Sequence, residues 1–197
     1  MLKNIFKQIF VIFVGFELYG YISRGSNRHA KIINISAMTN KQINIEYTEY
    51  DSIGQLSAED RELAEKAIEA SSRAYSPYSR FSVGAAVRLA DGTIVTGTNQ
   101  ENAAYPSGLC AERTAMFYAS AQYPDIPMTT LAVVGVKNGK ICEMPAAPCG
   151  ACRQVMAEYQ TKGGRPFAVI LVGEKKIWKF SRIDDILPFI FDSLDKE

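Results

Sequence analysis

Three cysteines in two short runs constrain this chain more than any other feature of its sequence. Cys110 stands two residues before Glu112, and Cys149 and Cys152 form a Cys-x-x-Cys pair after a proline. Zinc binds thiolates in tetrahedral geometry, and a site with three protein ligands leaves the fourth position for water. Glu112 is close enough along the chain to act on that water without binding the metal. The pattern predicts an open, hydrolytic site that holds one Zn²⁺ per chain through these three cysteines.

A closed structural zinc site is the alternative interpretation of the same cysteines. Such a site needs a fourth protein ligand, and the sequence offers Cys142 and His29, the only histidine in the chain. Cys142 otherwise has the character of an inert thiol near a strand end. The closed site would leave Glu112 as an ordinary solvated helix residue. Its two-residue offset from Cys110 favours the open site.

Length, charge and cysteine usage limit the class of protein. The chain has 197 residues, of which 47% are hydrophobic, enough for one packed domain with an appendage. Its formal net charge of +1 gives no basic surface for nucleic acid. Three of its four cysteines have metal-binding spacing, which indicates a reducing compartment. The composition favours a cytoplasmic protein without a nucleic-acid partner.

Residues 1–50 do not share the patterning of the remaining chain. Residues 1–7 are lightly basic and residues 9–16 are apolar, as in the first two regions of a signal peptide. The apolar run is too short to cross a bilayer. We expect a disordered or weakly helical leader and no membrane anchor, or else a true translation start at Met38. The predicted domain spans residues 51–197.

Helical and strand patterns alternate from Ser57 onward. The run from Ser57 to Asp60 is typical of a capping box, and apolar residues recur at helical spacing up to Ala74. A short closing helix or turn is predicted at 182–191. The other predicted elements are strands at 83–89, 93–98, 131–137, 167–173 and 177–180 and helices at 111–121 and 149–159. The alternation predicts a layered α/β domain with both cysteine runs at helix N-termini, which stabilise thiolates.

Three further segments carry a resemblance to a known family. They read Phe-Ser-Val-Gly-Ala-Ala-Val at 81–87, Asn-Gln-Glu-Asn-Ala-Ala-Tyr at 99–105, and Cys-Gly-Ala-Cys-Arg-Gln at 149–154. With the zinc motif, they resemble the three-cysteine, homotetrameric branch of the cytidine deaminase family, over roughly residues 57–191. The resemblance implies a three-layer α/β/α fold with a mixed five-stranded sheet. It also implies zinc-dependent deamination of cytidine and deoxycytidine in pyrimidine salvage, with Glu112 as proton shuttle and zinc-bound hydroxide as nucleophile.

The resemblance assigns roles to residues around the metal. Arg113 would draw charge from a ligand sulfur. Asn99 and Glu101, with Gln100 between them, would bind the sugar hydroxyls, since an amide and a carboxylate on an extended loop can both reach a ribose. A carboxylate there would also repel a nearby phosphate, which disfavours nucleotides. The remaining contacts are Phe81 stacking on the base, the Ala111 backbone holding its carbonyl, and Tyr105 and Phe191 reaching a neighbouring subunit's site.

Other functions are consistent with some of these residues. The chain could deaminate another aminopyrimidine nucleoside, or it could be a zinc-stapled binding module without turnover. Phe81 would then be an ordinary core residue, and Phe191 an anchor in its own subunit. The run from Asn99 to Asn102 favours the ordinary nucleosides as substrates.

Overall fold

A computed structural model describes residues 39–192 and two short strands nearer the N-terminus. The chain divides into two compact units, Met1–Gln42 and Ile43–Glu197. No helix among the described residues is long and apolar enough to cross a membrane.

Within the first unit, the structure describes residues 39–42, which are in no regular element, and a pair of two-residue strands. Strand β1 (Phe13–Val14) pairs antiparallel with β2 (Glu17–Leu18). The other predictions made for residues 1–38, including a translation start at Met38, lie outside the described residues.

The second unit is built around one seven-stranded sheet with helices on both faces. Its described strands are β3 (Thr48–Tyr50), β4 (Phe81–Leu89), β5 (Ile94–Thr98), β6 (Met128–Lys137), β7 (Lys140–Ile141), β8 (Ala168–Val172) and β9 (Ile177–Phe180). Its described α-helices are α1 (Ala58–Ser71), α2 (Ala111–Gln122) and α3 (Gly150–Gly163). Short 3₁₀ turns occupy Ile53–Gln55, Tyr105–Ser107 and Ile183–Asp185.

The sheet is mixed, with the order β3-β9-β8-β6-β4-β5 and with β7 paired to β6. Strands β6 and β8 are parallel, because α3 crosses between them, and the other neighbours are antiparallel. The mixed sheet is confirmed, but the predicted count of five strands is wrong. The five predicted strands are β4, β5, β6, β8 and β9, and the two missed strands, β3 and β7, are only three and two residues long.

Strand side chains alternate between the two faces of the sheet and build two cores. Ala132 and Ile170 pack with residues of α1 on one face. Val133 and Leu171 pack with residues of α2 and α3 on the other face. The three-layer α/β/α fold is therefore confirmed, and the layer formed by α2 and α3 is the one that carries the cysteine runs.

Helix α1 begins where the capping pattern predicts. The side-chain oxygen of Ser57 accepts a hydrogen bond of 3.2 Å from the backbone N–H of Asp60, one of the donors that a helix start leaves without a partner. Leu63 and Ala67 are fully buried against the sheet. The helix ends at Ser71, one turn before the predicted limit at Ala74, and the chain then turns into β4.

Gly97 in β5 lets the start of α2 approach the sheet closely. A Cβ added at Gly97 would lie 2.4 Å from the backbone nitrogen of Ala115 and 2.6 Å from the backbone oxygen of Ala111. A side chain of any size would overlap with the helix backbone, so glycine is required here. The contact fixes the N-terminal turn of α2, which carries Cys110 and Glu112, against the sheet.

The sheet takes in residues before the boundary predicted at residue 50. Strand β3 pairs with β9, and the ring of Tyr47 stacks on that of Phe180 with a centroid distance of 5.4 Å. Glu49 and Asp51 lie 2.7 and 2.8 Å from the ammonium group of Lys176. Independence of the domain from the segment before residue 38 stays a prediction.

Candidate active site

The three predicted zinc ligands converge at the starts of two helices. Cys110 precedes α2, Cys149 precedes α3, and Cys152 lies in the first turn of α3. The sulfur of Cys149 is 4.0 Å from that of Cys110 and 3.5 Å from that of Cys152, and all three lie within 4.8 Å of one another. Tetrahedral zinc with bonds of about 2.3 Å to sulfur separates its sulfur ligands by about 3.8 Å. The spacing of the thiols therefore fits a zinc ion.

The structure gives no fourth protein ligand among residues 39–192. The metal-binding group contains Cys110, Cys149 and Cys152 and does not include Cys142. The backbone of Cys142 is instead held between neighbouring segments, by hydrogen bonds to the Gly135 oxygen and from the Glu174 nitrogen. His29, the other ligand considered from the sequence, lies outside the described residues. The described site has three thiols and an open side, as a hydrolytic zinc centre requires.

The surroundings of Cys110 favour its thiolate form. A nitrogen of the Arg113 guanidinium lies 3.6 Å from the Cys110 sulfur. Hydrogen bonds from the Cys152 thiol and from Arg113 lower the pKa of the Cys110 thiol to about 5. The positive end of α2 acts in the same direction. The hydrogen bond to Cys110 and burial raise the pKa of the Cys152 thiol, so these contacts favour the thiolate, the form that binds zinc, at Cys110 in particular.

Glu112 occupies the second position of α2 beside the thiols. Its side chain is buried, with 4% of the residue exposed. Burial raises the pKa of its carboxyl, and the negative charge of Cys110 adds to the effect. A carboxyl with a raised pKa can bind and release a proton closer to neutral pH, as an acid–base group must. The helix start thus places a buried carboxyl with a raised pKa next to the three thiols.

A cavity of about 600 Å³ opens over the thiols. Its volume lies within the usual range of small-molecule sites. Of the residues predicted from the sequence, those that line it are Phe81, Asn99, Gln100, Glu101, Tyr105, Cys110, Glu112, Arg113 and Cys149. Ala111, Cys152 and Phe191 do not line it.

Glu101 projects its carboxylate into a turn formed by the residues before β4. One carboxylate oxygen accepts hydrogen bonds from the backbone N–H groups of Tyr78, at 2.9 Å, and Ser79, at 3.2 Å. The other accepts a short hydrogen bond from the Ser79 hydroxyl. These bonds, led by that of the Ser79 hydroxyl, lower the pKa of the Glu101 carboxyl. An ionised carboxylate therefore lies in the wall of the cavity.

Asn99 and Gln100 are tied to their neighbours by their amide groups. The oxygen of the Asn99 side chain accepts from the Val83 nitrogen at 2.7 Å, and its nitrogen donates to the Phe81 oxygen at 2.9 Å. The Gln100 amide donates to the Thr98 hydroxyl at 2.8 Å. Asn99 keeps one N–H and one lone pair for a ligand, so it can bind a substrate while fastening the loop to β4.

Phe81 forms part of the cavity wall at the first position of β4. A Cβ added at Gly135, on the neighbouring strand β6, would lie 2.7 Å from the tip of the Phe81 ring and 3.0 Å from the Ala146 side chain. The absence of a side chain at Gly135 therefore leaves the space that the ring fills. Phe81 is half-buried and faces the cavity, which distinguishes it from an ordinary core residue.

The remaining predicted residues lie outside the centre of the cavity. Ala111 is fully buried at the first position of α2, where a backbone N–H has no partner within the helix. Tyr105 is 80% exposed at the rim, and Phe191 is 73% exposed. The backbone of Phe191 exchanges two hydrogen bonds, of 2.6 and 3.2 Å, with the amide of Gln154. The structure does not bring Phe191 into the cavity of its own chain.

Several lining residues were not predicted from the sequence. They are Tyr78, Ser79, Val83, Asn102, Gly108, Leu109, Val133, Ala146 and Ala147. Ala146 and Ala147 immediately precede Pro148, and that adjacency was the available signal. Ser79 has no such signal, because it meets Glu101 across 22 positions of the chain.

Known proteins resemble this chain in both sequence and fold. The family model described as the cytidine and deoxycytidylate deaminase zinc-binding region matches residues 57–172. The cytidine deaminase of Halalkalibacterium halodurans is 49% identical over 96 residues, which are 49% of this chain and 68% of that protein. The cytidine deaminase of Sporosarcina psychrophila is 43% identical over 123 residues, or 62% and 84% of the two chains.

Solved structures give the same assignment. The cytidine deaminase of Burkholderia pseudomallei has 42% identity and a TM-score of 0.57, over 66% of this chain and 97% of that one. The enzyme of Mycobacterium tuberculosis has 34% identity and a TM-score of 0.55, over 70% and 100% of the two chains. The matches confirm the predicted resemblance and, with the three-thiol group, the predicted zinc cofactor. The chain belongs to the family of zinc-dependent cytidine deaminases.

Proposed function

We propose that this protein catalyses the hydrolysis of cytidine and deoxycytidine to uridine and deoxyuridine, with release of ammonia. One observation carries the proposal: the thiols of Cys110 and Cys149 and the carboxyl of Glu112 line the same cavity as Asn99 and Glu101. A hydrolytic centre and two hydroxyl-binding side chains then face one ligand-sized space. The balance of the reaction needs only water, which enters as oxygen on C4 as the amine leaves.

Each residue near the thiols has a role in this reaction. Cys110, Cys149 and Cys152 would hold zinc, which supplies the Lewis acid that makes water a nucleophile near neutral pH. The Glu112 carboxylate would accept one proton of that water and pass it to ring N3 as the oxygen adds to C4. It would then accept the proton of the new C4 hydroxyl and give it to the amine, which leaves as ammonia while the C4 carbonyl forms. Arg113 contacts the Cys110 sulfur and offsets the negative charge that three thiolates bring to the metal.

The rest of the cavity suits a free nucleoside. Phe81 would stack on the base, and the backbone N–H of Ala111, which has no partner within α2, would hold the base carbonyl. Asn99 and Glu101 would bind the sugar hydroxyls, with Gln100 beside them in the wall. A base and a sugar are thereby fixed from opposite ends of the cavity, with C4 toward the thiols.

A nucleotide is a poorer fit than a nucleoside. Among the lining residues that the structure describes, Arg113 is the one cation, and it already contacts the Cys110 sulfur. Glu101 adds a negative charge at the sugar end, which would repel a phosphate. We therefore expect deoxycytidylate to be used much less well than deoxycytidine.

The test is an ammonia-release assay on cytidine, deoxycytidine, deoxycytidylate, cytosine and other aminopyrimidine nucleosides. We expect turnover of the first two, with zinc content near one per chain, and none with the Glu112→Gln variant. Zinc-loaded protein that releases no ammonia from any cytosine nucleoside would overturn the proposal. Preference for a different aminopyrimidine nucleoside would replace the substrate and keep the reaction.

The assembly is part of the proposal. We propose a homotetramer in which Tyr105 and Phe191 complete a neighbour's site. Both rings are largely exposed, and the backbone clamp from Gln154 fixes where the Phe191 ring leaves the surface. A large aromatic held in the open by hydrogen bonds is suited to covering the pocket of another subunit, because closed symmetric assemblies donate such groups reciprocally.

Mixing two inactive variants tests this shared site. Glu112→Gln and Phe191→Ala subunits, unfolded and refolded together, would place intact copies of both residues in about one site in four. Activity should rise above the average of the separate preparations. If Phe191 serves its own subunit, every site keeps one lesion and mixing adds nothing. A monomer in solution would refute the idea directly.

The cellular setting follows from the chemistry. Three thiols stay available for zinc in a reducing environment, which supports a cytoplasmic location. Hydrolysis of free cytosine nucleosides would return them as uracil nucleosides, the chemistry of pyrimidine salvage. Cell fractionation, with the activity as marker, tests the location.

A further inference from the structure

In the turn before β4, the hydroxyl group of Ser79 contacts both Glu101, at the proposed sugar end of the site, and Phe81, at the proposed base end. Residues 76–80 form this turn, Tyr78 and Ser79 in it donate to the Glu101 carboxylate, and Phe81 follows directly. We propose that Ser79 is a positioning residue. Its hydroxyl fixes the position of the Glu101 carboxylate relative to Phe81 and so sets the affinity for the sugar. This inference rests on the proposed function, which gives Glu101 the sugar hydroxyls.

The hydrogen bonds of Ser79 define this connection. Its hydroxyl oxygen bonds to one oxygen of the Glu101 carboxylate and, at 3.0 Å, to the backbone nitrogen of Phe81. The other carboxylate oxygen is held by the backbone N–H groups of Tyr78 and Ser79. Three donors from two consecutive residues therefore surround one carboxylate.

The directions of these bonds follow from the groups involved. The backbone N–H of Phe81 can only donate, so the Ser79 oxygen accepts from it. An ionised carboxylate can only accept, so the Ser79 hydroxyl donates its proton to Glu101. The Ser79 hydroxyl thus donates its proton to Glu101, the proposed sugar-binding group, and accepts from the backbone of Phe81, the proposed base-stacking residue. Aligned in this way, each bond polarises and strengthens the other.

The backbone of the turn is shaped for this arrangement. Arg80 has a φ of +53°, in the left-handed region, and its N–H donates to the Ser76 oxygen at 3.1 Å. In the same turn, the N–H groups of Tyr78 and Ser79 both point at one carboxylate oxygen of Glu101, as in a backbone anion nest. The nest holds one carboxylate oxygen without any side chain, and the Ser79 hydroxyl is the donor that fixes the second.

The Ser79 hydroxyl therefore has one specific role, which is to fix the second oxygen of the Glu101 carboxylate. Without it, the nest still anchors Glu101 by one oxygen, but the other loses its donor and the carboxylate can rotate. That second oxygen has a lone pair left for a substrate hydroxyl, and its direction depends on Ser79. Loss of the hydroxyl should weaken sugar binding and leave the chemistry at the thiols intact.

Three variants test the proposal in the zinc-loaded full-length enzyme. Ser79→Ala removes the hydroxyl, Ser79→Thr keeps it, and Ser82→Ala is a matched control. Ser82 belongs to the same segment, but its hydroxyl pairs with that of Ser76 at 3.1 Å and does not contact Glu101. We expect Ser79→Ala to raise KM for cytidine about tenfold, the usual effect of losing one hydrogen bond to a charged group. Its kcat should stay within about twofold of wild type, and the other two variants should keep the wild-type KM.

A pair of inhibitors separates positioning from general damage. Uridine offers Glu101 its sugar hydroxyls, whereas 2′,3′-dideoxyuridine has none at those positions. Ser79→Ala should raise the inhibition constant of uridine about tenfold and that of 2′,3′-dideoxyuridine much less, because only the contact to Phe81 is lost for that inhibitor. Equal losses for both inhibitors would mean that Ser79 only supports the fold, which would overturn the proposal. If Ser79→Ala proved insoluble, Ser79→Gly removes the same hydroxyl, and the ratio of the two constants is read in the same way.

A Glu101→Ala variant distinguishes failure of this inference from failure of the proposed function. If Glu101→Ala leaves the preference for uridine unchanged, Glu101 does not bind the sugar and the proposed role of that residue fails. If Glu101→Ala abolishes the preference and Ser79→Ala does not reduce it, the role of Ser79 alone is refuted. In the double variant, we expect Ser79→Ala to have no further effect on uridine, since its partner is already absent.

Discussion

Replacing Gly97 by alanine should damage the metal site through the backbone of α2. The new Cβ would lie 2.4 Å from the Ala115 nitrogen, about 1 Å inside ordinary van der Waals contact, and would meet backbone atoms that cannot rotate away. Helix α2 must therefore move from β5 by a distance of that order. The same first turn carries Cys110 and Glu112, so both would shift relative to α3. A misplacement of about 1 Å typically costs about 10²-fold in rate, and overpacking costs about 2 kcal/mol of stability.

A matched substitution on the other face separates the two effects. A Cβ added at Gly84 would lie 2.0 Å from the Ala67 oxygen and 2.6 Å from the Ser71 nitrogen of α1. Gly84→Ala should lower the stability at least as much, but it displaces a helix that carries no site residue. Both variants should lower Tm, by roughly 4–8 °C for a loss of about 2 kcal/mol in a chain of this size.

The decisive measurements are zinc affinity and kcat of the folded protein. Zinc affinity by competition with a chelator and kcat at a temperature well below both Tm values should fall in Gly97→Ala and stay near wild type in Gly84→Ala. Equal behaviour of the two variants in zinc binding and kcat would show that α2 is not positioned through Gly97. A Gly97→Ala protein with the Tm, zinc content and kcat of wild type would refute the close-packing argument altogether.

Three further predictions concern the proton carrier, the fourth cysteine and the leader. Glu112→Gln should retain zinc and lose about 10²–10⁴-fold in kcat, and near wild-type turnover would remove Glu112 from the mechanism. Cys142→Ser should leave the zinc content by metal analysis unchanged, whereas its loss would favour a closed structural site. Deletion of residues 1–37 should leave thermal unfolding and activity intact, but deletion of residues 1–50 should lower Tm because it removes β3 and the Tyr47 ring. Insolubility of the shorter deletion would make the leader part of the fold.

Local patterns explain what could be predicted from the sequence. The cysteine spacing, the Ser57 cap and the alternation of strands each depend on residues within a few positions of one another. Cys110, Cys149 and Cys152 were predicted from their spacing, and Glu112 from its two-residue offset from Cys110. The sequence did not contain the distance between the two runs, which the packing of α2 and α3 on one face of the sheet provides.

Strand β3 was missed because nothing local stabilises it. It has three residues, and its contacts are with chain more than a hundred positions away. The Trp178 indole donates to the Glu49 carboxylate at 2.9 Å across 129 positions, and Lys176 reaches Asp51 across 125. A polar segment of this length has no periodicity that distinguishes it from a loop. Its strand conformation comes from β9, which offers an edge with unpaired backbone groups.

The residues predicted to bind the sugar also build the wall that presents them. Asn99 bonds to the backbone of β4 on either side of Ser82, and Glu101 bonds to the turn that leads into the same strand. The loop and the turn therefore hold each other through the groups that face the ligand. A hydroxyl-binding carboxylate on a loop would ordinarily lose much of its binding free energy to the cost of ordering it. If Glu101 binds the sugar as proposed, that cost is met when the protein folds, because the nest and the Ser79 hydroxyl already hold its carboxylate.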